Sequence, residues 1–254
     1  MSVSNPIAIV TGGSRGLGRN TTLALARQGV DVILTYRSRR DEADAAVAEI
    51  EQLGRRAKAL PLDVGNSRSF DAFAEAVREA LKRQWQSEHF DYLVNNAGVG
   101  LHASFAETTE AQFDEMVNVH CKGPFFLTQK LLPLIADGGR IVNISSGLTR
   151  FALPGYAAYA SMKGAIEVLT RYQAKELGAR SIAVNVVAPG AIETDFSGGM
   201  VRDNPGLNAQ IASQTALGRV GLPDDIGGVI ASLLSPANGW VNAQRIEASG
   251  GMFL

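Results

Sequence analysis

The sequence predicts an α/β protein: a single doubly wound parallel sheet, a Rossmann fold, with helices on both faces. Three observations carry this. Short apolar runs without polar alternation recur along the chain, as in strands buried on both faces of a parallel sheet. Helical patterns stand between them, so strand and helix alternate as in βαβ units. The first unit turns through a glycine-rich stretch from Gly12 to Gly18.

Taken in order, Ile7-Ala8-Ile9-Val10 is the first strand. The helix after the glycine turn has Leu17, Leu23, Leu25 and Ala26 as apolar positions, and Gly29 stops it. Val32-Ile33-Leu34 is a second strand, residues 39–53 a helix, and Ala57 to Leu62 a third strand ending at Asp63. Residues 68–84 form a helix with Phe70, Phe73, Val77 and Leu81 on one face. Tyr92-Leu93-Val94 is a fourth strand, running into Asn95-Asn96-Ala97-Gly98. A long helix is expected over 110–135 with a bend at Pro124. Arg140 to Ile144 and Ile182 to Val187 are strands, with a helix to Leu177 between them. Residues 191–215 read as an irregular substrate-binding or lid segment with room for one or two short helices. Asp224 to Leu234 is a helix and Ala243 to Ala248 a final strand. No boundary or repeat divides residues 1–254, so one domain is expected.

Composition narrows the function. The 24 basic and 25 acidic residues leave a net charge of −1 and no basic stripe, which speaks against nucleic acid. No run of about 18 apolar residues suggests a membrane span. The first six residues lack the basic and apolar regions of a signal peptide, and Cys121 is the single cysteine, so a reducing, cytoplasmic setting is expected. The three histidines share no ligand spacing with carboxylates or Cys121, so no metal site is expected.

Thr11-Gly12-Gly13-Ser14-Arg15-Gly16-Leu17-Gly18 falls where the first strand gives way to a helix. An ordinary tight turn also uses glycines. Here the place in the βα unit points to a pyrophosphate at the helix N-terminus. An acidic residue at the end of the second strand would select NAD(H) by its ribose hydroxyl. The sequence has Arg37 and Ser38 there instead, with Arg15 in the glycine turn. Guanidinium groups match a phosphate, so NADP(H) is expected over NAD(H).

Tyr159 and Lys163 lie four residues apart, on one helix face. A nearby ammonium favours the phenolate, so the pair suits proton exchange with a carbonyl oxygen. The spacing alone is common.

From Val10 to Gly251 the chain resembles the short-chain dehydrogenase/reductase family, in its compact single-domain branch. The resemblance rests on Thr11-Gly12-x3-Gly16-x-Gly18, Asp63, Asn95-Asn96-Ala97-Gly98, Asn118, Ser146, Tyr159-x3-Lys163 and Pro189-Gly190, all in order. It implies Tyr159 as general acid for ketone reduction. It implies Lys163 as the residue that lowers the tyrosine pKa and holds the nicotinamide ribose. Ser146, 13 residues before the tyrosine, is implied to bind the substrate oxygen, and Asn118 to join a proton relay. It assigns Asp63 and Val64 to adenine, and Asn96, Ala97 and Gly98 to the adenine-side ribose. Pro189, Gly190, Ile192 and Thr194 fall to the nicotinamide side.

Phe151, Leu153, Phe196 and Met200 are expected as substrate walls. His120 is read as a packed helix histidine bordering the site, and Trp85 and Trp240 as packing residues. The motif wording looks most like 3-oxoacyl-[acyl-carrier-protein] reductases, whose partner would favour a basic patch drawn from Arg150, Arg171 and Lys175. Sugar, polyol and other small-ketone relatives share much of that wording. A non-catalytic NADP(H)-sensing regulator would show a broken tetrad, and Asn118, Ser146, Tyr159 and Lys163 are all present. The resemblance also implies a homotetramer with the helices near 110–135 and 156–177 at one interface.

Overall fold

The computed structural model describes residues 5–254. Residues 1–4, part of the stretch read as lacking a signal peptide, lie outside the described residues. The strands are β1 (Ile7–Val10), β2 (Asp31–Tyr36), β3 (Ala57–Pro61), β4 (Phe90–Asn95), β5 (Ile135–Ile144), β6 (Ala183–Pro189) and β7 (Arg245–Ala248). They form one seven-stranded sheet in the order β3-β2-β1-β4-β5-β6-β7, and every pairing is parallel. The winding reverses between β1 and β4, and a crevice opens beyond the carboxyl ends of strands at such a point.

Helices cover both faces. They are α1 (Gly16–Arg27), α2 (Arg40–Gln52), α3 (Phe70–Ala80), α4 (Glu110–Val117), α5 (Gly123–Leu131), α6 (Ala157–Leu177), α7 (Met200–Asp203), α8 (Pro205–Ser213) and α9 (Pro223–Leu234). Alternation along a strand sends neighbouring side chains to opposite faces. Ile7 and Ile9 therefore join one core with Phe70, Phe73 and Leu131 of α3 and α5. Ala8 and Val10 join the other with Leu25, Ile50 and Ile226 of α1, α2 and α9.

All seven expected strands and both faces of helices are present, and three details differ. The helix expected over 110–135 is two helices joined by a π turn, Asn118–Lys122, in which the Gly123 N–H reaches back to the Asn118 carbonyl. Pro124 sits in the first turn of α5, where a missing N–H costs little, so the irregularity comes from the extra residue and not from the proline. β5 starts at Ile135 rather than Arg140, with an irregular register between Phe90 and Tyr92. The segment 191–215 holds α7 and α8, after a turn in which Ser197, Gly198 and Gly199 all take positive φ.

Trp85 is buried and donates to Asp31 at 2.9 Å. Trp240 is fully exposed, which corrects its reading as a packing residue: it stands in the turn before β7 with no core beneath it. Among the described residues no helix is long and apolar enough to cross a membrane.

Candidate active site

The site forms where the ends of β1, β4, β5 and β6 meet α1 and α6. The glycine turn is tied to β4. Thr11 Oγ1 accepts from the backbone N–H groups of Asn96 at 2.9 Å and Ala97 at 3.0 Å. Asn96 Nδ2 donates to the Thr11 carbonyl at 2.8 Å. So Asn96 and Ala97 clamp the turn, a structural task that the sequence reading did not give them.

Gly18 faces the Gly12 carbonyl so closely that any Cβ would collide with it. Gly16 has φ +54°, a left-handed conformation, and its bare Cα looks across at Thr194. No side chain caps α1, which leaves the first N–H groups of the helix open to an anion. Ser14 is buried beside them and Leu17 packs on the core. Around this turn, Arg39 pairs with Glu42 and Arg40 with Asp44. Arg15 and Arg37 are exposed and, among the described residues, form no ion pair. Two unengaged guanidiniums beside an uncapped helix start fit a dinucleotide that carries an additional phosphate.

The other expected contacts differ in exposure and packing. Asp63 is exposed, with its carboxylate accepting from the Gly65 N–H at 2.9 Å, and Val64 leans on the core. Ser38 and Gly98 are exposed. Pro189 ends β6, and Gly190 lies against Ser249. The Ile192 side chain packs on Gly221 and the α1–α9 core. Thr194 is buried, and its hydroxyl accepts from the Phe196 N–H at 3.2 Å.

Ser146 follows β5, and Tyr159 and Lys163 face it from α6. Tyr159 and Lys163 are 8% and 5% exposed. Burial raises the Tyr159 pKa above that of a free phenol, and a hydrogen bond from Ser146 pulls it back in part. Lys163 Nζ lies 5.5 Å from the Tyr159 ring centroid and donates to the Ile144 carbonyl at 2.8 Å. Burial lowers the Lys163 pKa to about 7. The expectation that Lys163 depresses the Tyr159 pKa therefore needs correction. Desolvation dominates on both groups, and the ammonium is turned to a backbone carbonyl rather than the phenol oxygen. Asn118 begins the π turn that packs on α6, with its carbonyl taken by Gly123.

His120 is 1% exposed. Its ring meets Tyr159 edge-on at 5.2 Å, and Phe196 meets the same tyrosine at 5.9 Å. Phe196 is 43% exposed, and Leu153 and Met200 are also exposed. Phe151 packs on Gly147 and on Phe253 near the C-terminus, at 4.6 Å between rings. Cys121 is half-buried.

A second network supports the Ser146 loop. Glu167 accepts from Ser145, Thr149 and Arg245, each at 2.7 Å. Glu247 binds both Arg150 and Arg245, and these hydrogen bonds, Arg150's first, hold its pKa near about 2. Arg150 also donates to the Phe253 carbonyl at 2.8 Å. Glu167 and Arg245 are 78 residues apart, and no local pattern announced them.

With this geometry in hand, the comparisons decide the family. The sequence matches the family described as Enoyl-(Acyl carrier protein) reductase over residues 12–253. The chain belongs to the short-chain dehydrogenase/reductase family. It is an oxidoreductase of that family. The angucycline C-6 ketoreductase LanV, solved with bound NADP, superimposes with a TM-score of 0.93 at 36% identity, over 98% of this chain and 95% of that one. The hydroxynaphthalene reductase-like protein Arp2 of Metarhizium brunneum is 34% identical over 98% of this chain and 96% of its own. The 3-oxoacyl-[acyl-carrier-protein] reductase FabG of Staphylococcus epidermidis is 34% identical over 98% of this chain and 100% of its own.

Proposed function

We propose that this oxidoreductase uses NADP(H) to reduce a ring-bearing ketone to a secondary alcohol, with Tyr159 as the proton donor. One observation carries the reading: Tyr159 and Lys163 stand buried on one face of α6, the ammonium 5.5 Å from the tyrosine ring, with the Ser146 hydroxyl close enough to lower the phenol's pKa in part. Two hydroxyls beside one another can both donate to a single carbonyl oxygen. Ser146 binds that oxygen and steadies the charge growing on it. Tyr159, protonated because burial holds its pKa high, delivers its proton as the oxygen becomes an alcohol. Lys163 offsets the phenolate left behind.

NADPH, when bound, supplies the hydride. Gly12, Ser14, Gly16, Leu17 and Gly18 would hold its pyrophosphate, and Arg15, Arg37 and Ser38 its additional phosphate. Asp63, Val64, Asn96, Ala97 and Gly98 would border the adenosine. Pro189, Gly190, Ile192 and Thr194 would border the nicotinamide. The open helix start and the two unpaired guanidiniums support this, as does the NADP bound to LanV.

Aromatic walls favour a ring-bearing substrate. Phe196 flanks Tyr159, and His102 and Tyr156 stack edge to face at 5.0 Å. Phe151, Leu153 and Met200 would extend this lining, under a lid formed by residues 191–215 of one continuous domain. Among the relatives, Arp2 is named a hydroxynaphthalene reductase-like protein and LanV an angucycline C-6 ketoreductase.

A second reading is a 3-oxoacyl-[acyl-carrier-protein] reductase, supported by the similarity to FabG and by Arg171 and Lys175, exposed on α6. Arg150, the third cation of that patch, is committed to Glu247 and Phe253, which weakens it. We extend the reading to a homotetramer, in which exposed Phe113, Phe125, Val168 and Tyr172 of α4, α5 and α6 would be covered. Sedimentation at micromolar protein tests that part.

The deciding experiment mixes the protein with NADPH or NADH and a panel of ring ketones, β-keto thioesters and small sugars or polyols, following reduced-nicotinamide absorbance. Ring ketones should turn over fastest, with NADPH. Preference for thioesters would install the second reading. Tight NADPH binding with no turnover on any member would replace both with a nucleotide sensor.

A further inference from the structure

The polar groups beneath Lys163 are unbalanced in a way that matches. Lys163 Nζ is buried and, among the described residues, hydrogen-bonds only the Ile144 carbonyl. An ammonium has three protons, so two are without an acceptor. Two buried acceptors nearby are without a donor: Asn95 Oδ1 and His120 Nδ1.

Both orphans are fixed by their surroundings. The Thr170 hydroxyl donates to the Ile166 carbonyl at 2.8 Å, so its oxygen must accept from Asn143 Nδ2 at 2.9 Å. Asn143 then presents Oδ1 to Asn95 Nδ2, at 2.8 Å. Asn95 is left with its own Oδ1 facing inward. His120 Nε2 lies 2.8 Å from the Val99 carbonyl and 3.4 Å from the Val99 N–H; the shorter contact is to a group that can only accept, so that nitrogen carries the proton and Nδ1 keeps a bare lone pair. Asn95, His120, Ile144 and Lys163 line one crevice, too tight to admit a water molecule. Buried polar groups left unpaired are costly, and here the missing donors and acceptors share one space.

We propose that Asn95 Oδ1, His120 Nδ1 and the Ile144 carbonyl form an inner seat for the Lys163 ammonium, which makes His120 a positioning residue of the proton-transfer site. The seat sets how far the ammonium stands from Tyr159, and the ring of His120, edge-on to that tyrosine, holds the phenol from the other side. The π turn over Asn118–Lys122 is what swings His120 inward. His120 remains neutral, its pKa lowered to about 3 by burial and then by Lys163, so it acts here as an acceptor. Only the catalytic consequence rests on the reductase reading; the seat itself does not.

The test uses cofactor-free, histidine-15N-labelled protein at about pH 6, below the Lys163 pKa, where the ammonium is charged. In wild type the His120 Nδ1 resonance should be that of a hydrogen-bonded acceptor. In Lys163→Met, or Lys163→Ala should that variant not fold, Nδ1 should move toward a free imine nitrogen while Nε2 stays. An unmoved Nδ1 overturns the seat. In turnover, His120→Phe should slow kcat about tenfold or more with KM and NADPH affinity unchanged, and His120→Gln, which restores an acceptor, should recover most of it. A larger loss in His120→Gln than in His120→Phe would mean that ring packing matters and the acceptor does not, which overturns the positioning role.

Discussion

Lys163 Nζ donates to the Ile144 carbonyl at 2.8 Å while standing 5.5 Å from the Tyr159 ring. A buried ammonium with so little solvent has a lowered pKa, about 7 here. The consequence for stability has a definite sign. Below pH 7 both the folded and unfolded chains carry the proton, and the folded protein bears the full cost of a buried charge. Between about 7 and the unfolded lysine value of about 10, the unfolded chain holds a proton that the folded one has lost, so stability rises with pH. Relative to wild type, Lys163→Met should therefore fare better at about pH 6 than at about pH 9.5. Urea melts of both proteins at the two pH values read this directly, and a stability difference independent of pH would contradict it.

Tyr159→Phe removes one oxygen and leaves the packing of His120 and Phe196 in place. Turnover should fall by about a hundred- to ten-thousand-fold, the usual worth of a positioned general acid. NADPH affinity, measured by fluorescence titration, should change little. Ser146→Ala should lose activity on the same scale, and the double variant should lose little more than either single one, because both hydroxyls serve one oxygen. Activity retained in Tyr159→Phe would refute the assignment of the acid.

What was legible in the sequence follows from the range of the interactions. Val10, Gly16 and Gly18 sit within one βα unit, so strand, turn and helix could be read locally, and the alternation of such units gave the sheet. Tyr159 and Lys163 share a helix face, which spacing reveals. The π turn at Asn118 was not legible: its cause is one inserted residue in a helix whose apolar pattern runs on through Phe125. The Lys163 environment was misread because spacing reports proximity and not desolvation, and desolvation dominates here. Asn95, Asn143 and Thr170 make one hydrogen-bond chain from three elements, and Glu167 meets Arg245 from opposite ends of the fold. Such long-range pairs leave no periodic trace.

Arg15 and Arg37 give the cofactor preference a charge to remove. Each is exposed and unpaired among the described residues, so a phosphate contact would be partly screened and sit at the low end of charged hydrogen bonds. Arg15→Ala and Arg37→Ala should each weaken NADPH binding about tenfold, and the double variant about a hundredfold, with NADH binding almost unchanged. Titrations at low and high salt check this, since the losses should diminish as salt rises. Equal weakening of NADH and NADPH would place these residues on the shared part of the dinucleotide.

Glu167 is the residue through which the Ser146 loop meets the last strand. Its carboxylate accepts from Ser145, Thr149 and Arg245 at 2.7 Å each, at only 15% side-chain exposure. Glu167→Ala would leave the guanidinium with Glu247 as its one carboxylate, and the Ser145 and Thr149 hydroxyls with only backbone carbonyls to donate to. The expected cost is about 2 kcal/mol, below that of breaking a fully buried pair because Arg245 keeps its second carboxylate. Glu167→Gln keeps one acceptor oxygen and should cost less. The loop effect separates from the stability effect: Arg245 also lies within 3.4 Å of the Ser146 carbonyl, so a slackened Arg245 should let Ser146 drift and lower kcat well below the folding midpoint, with NADPH affinity intact. Stability lost by Glu167→Ala with kcat unchanged at moderate temperature would show that the network braces the fold without placing the serine.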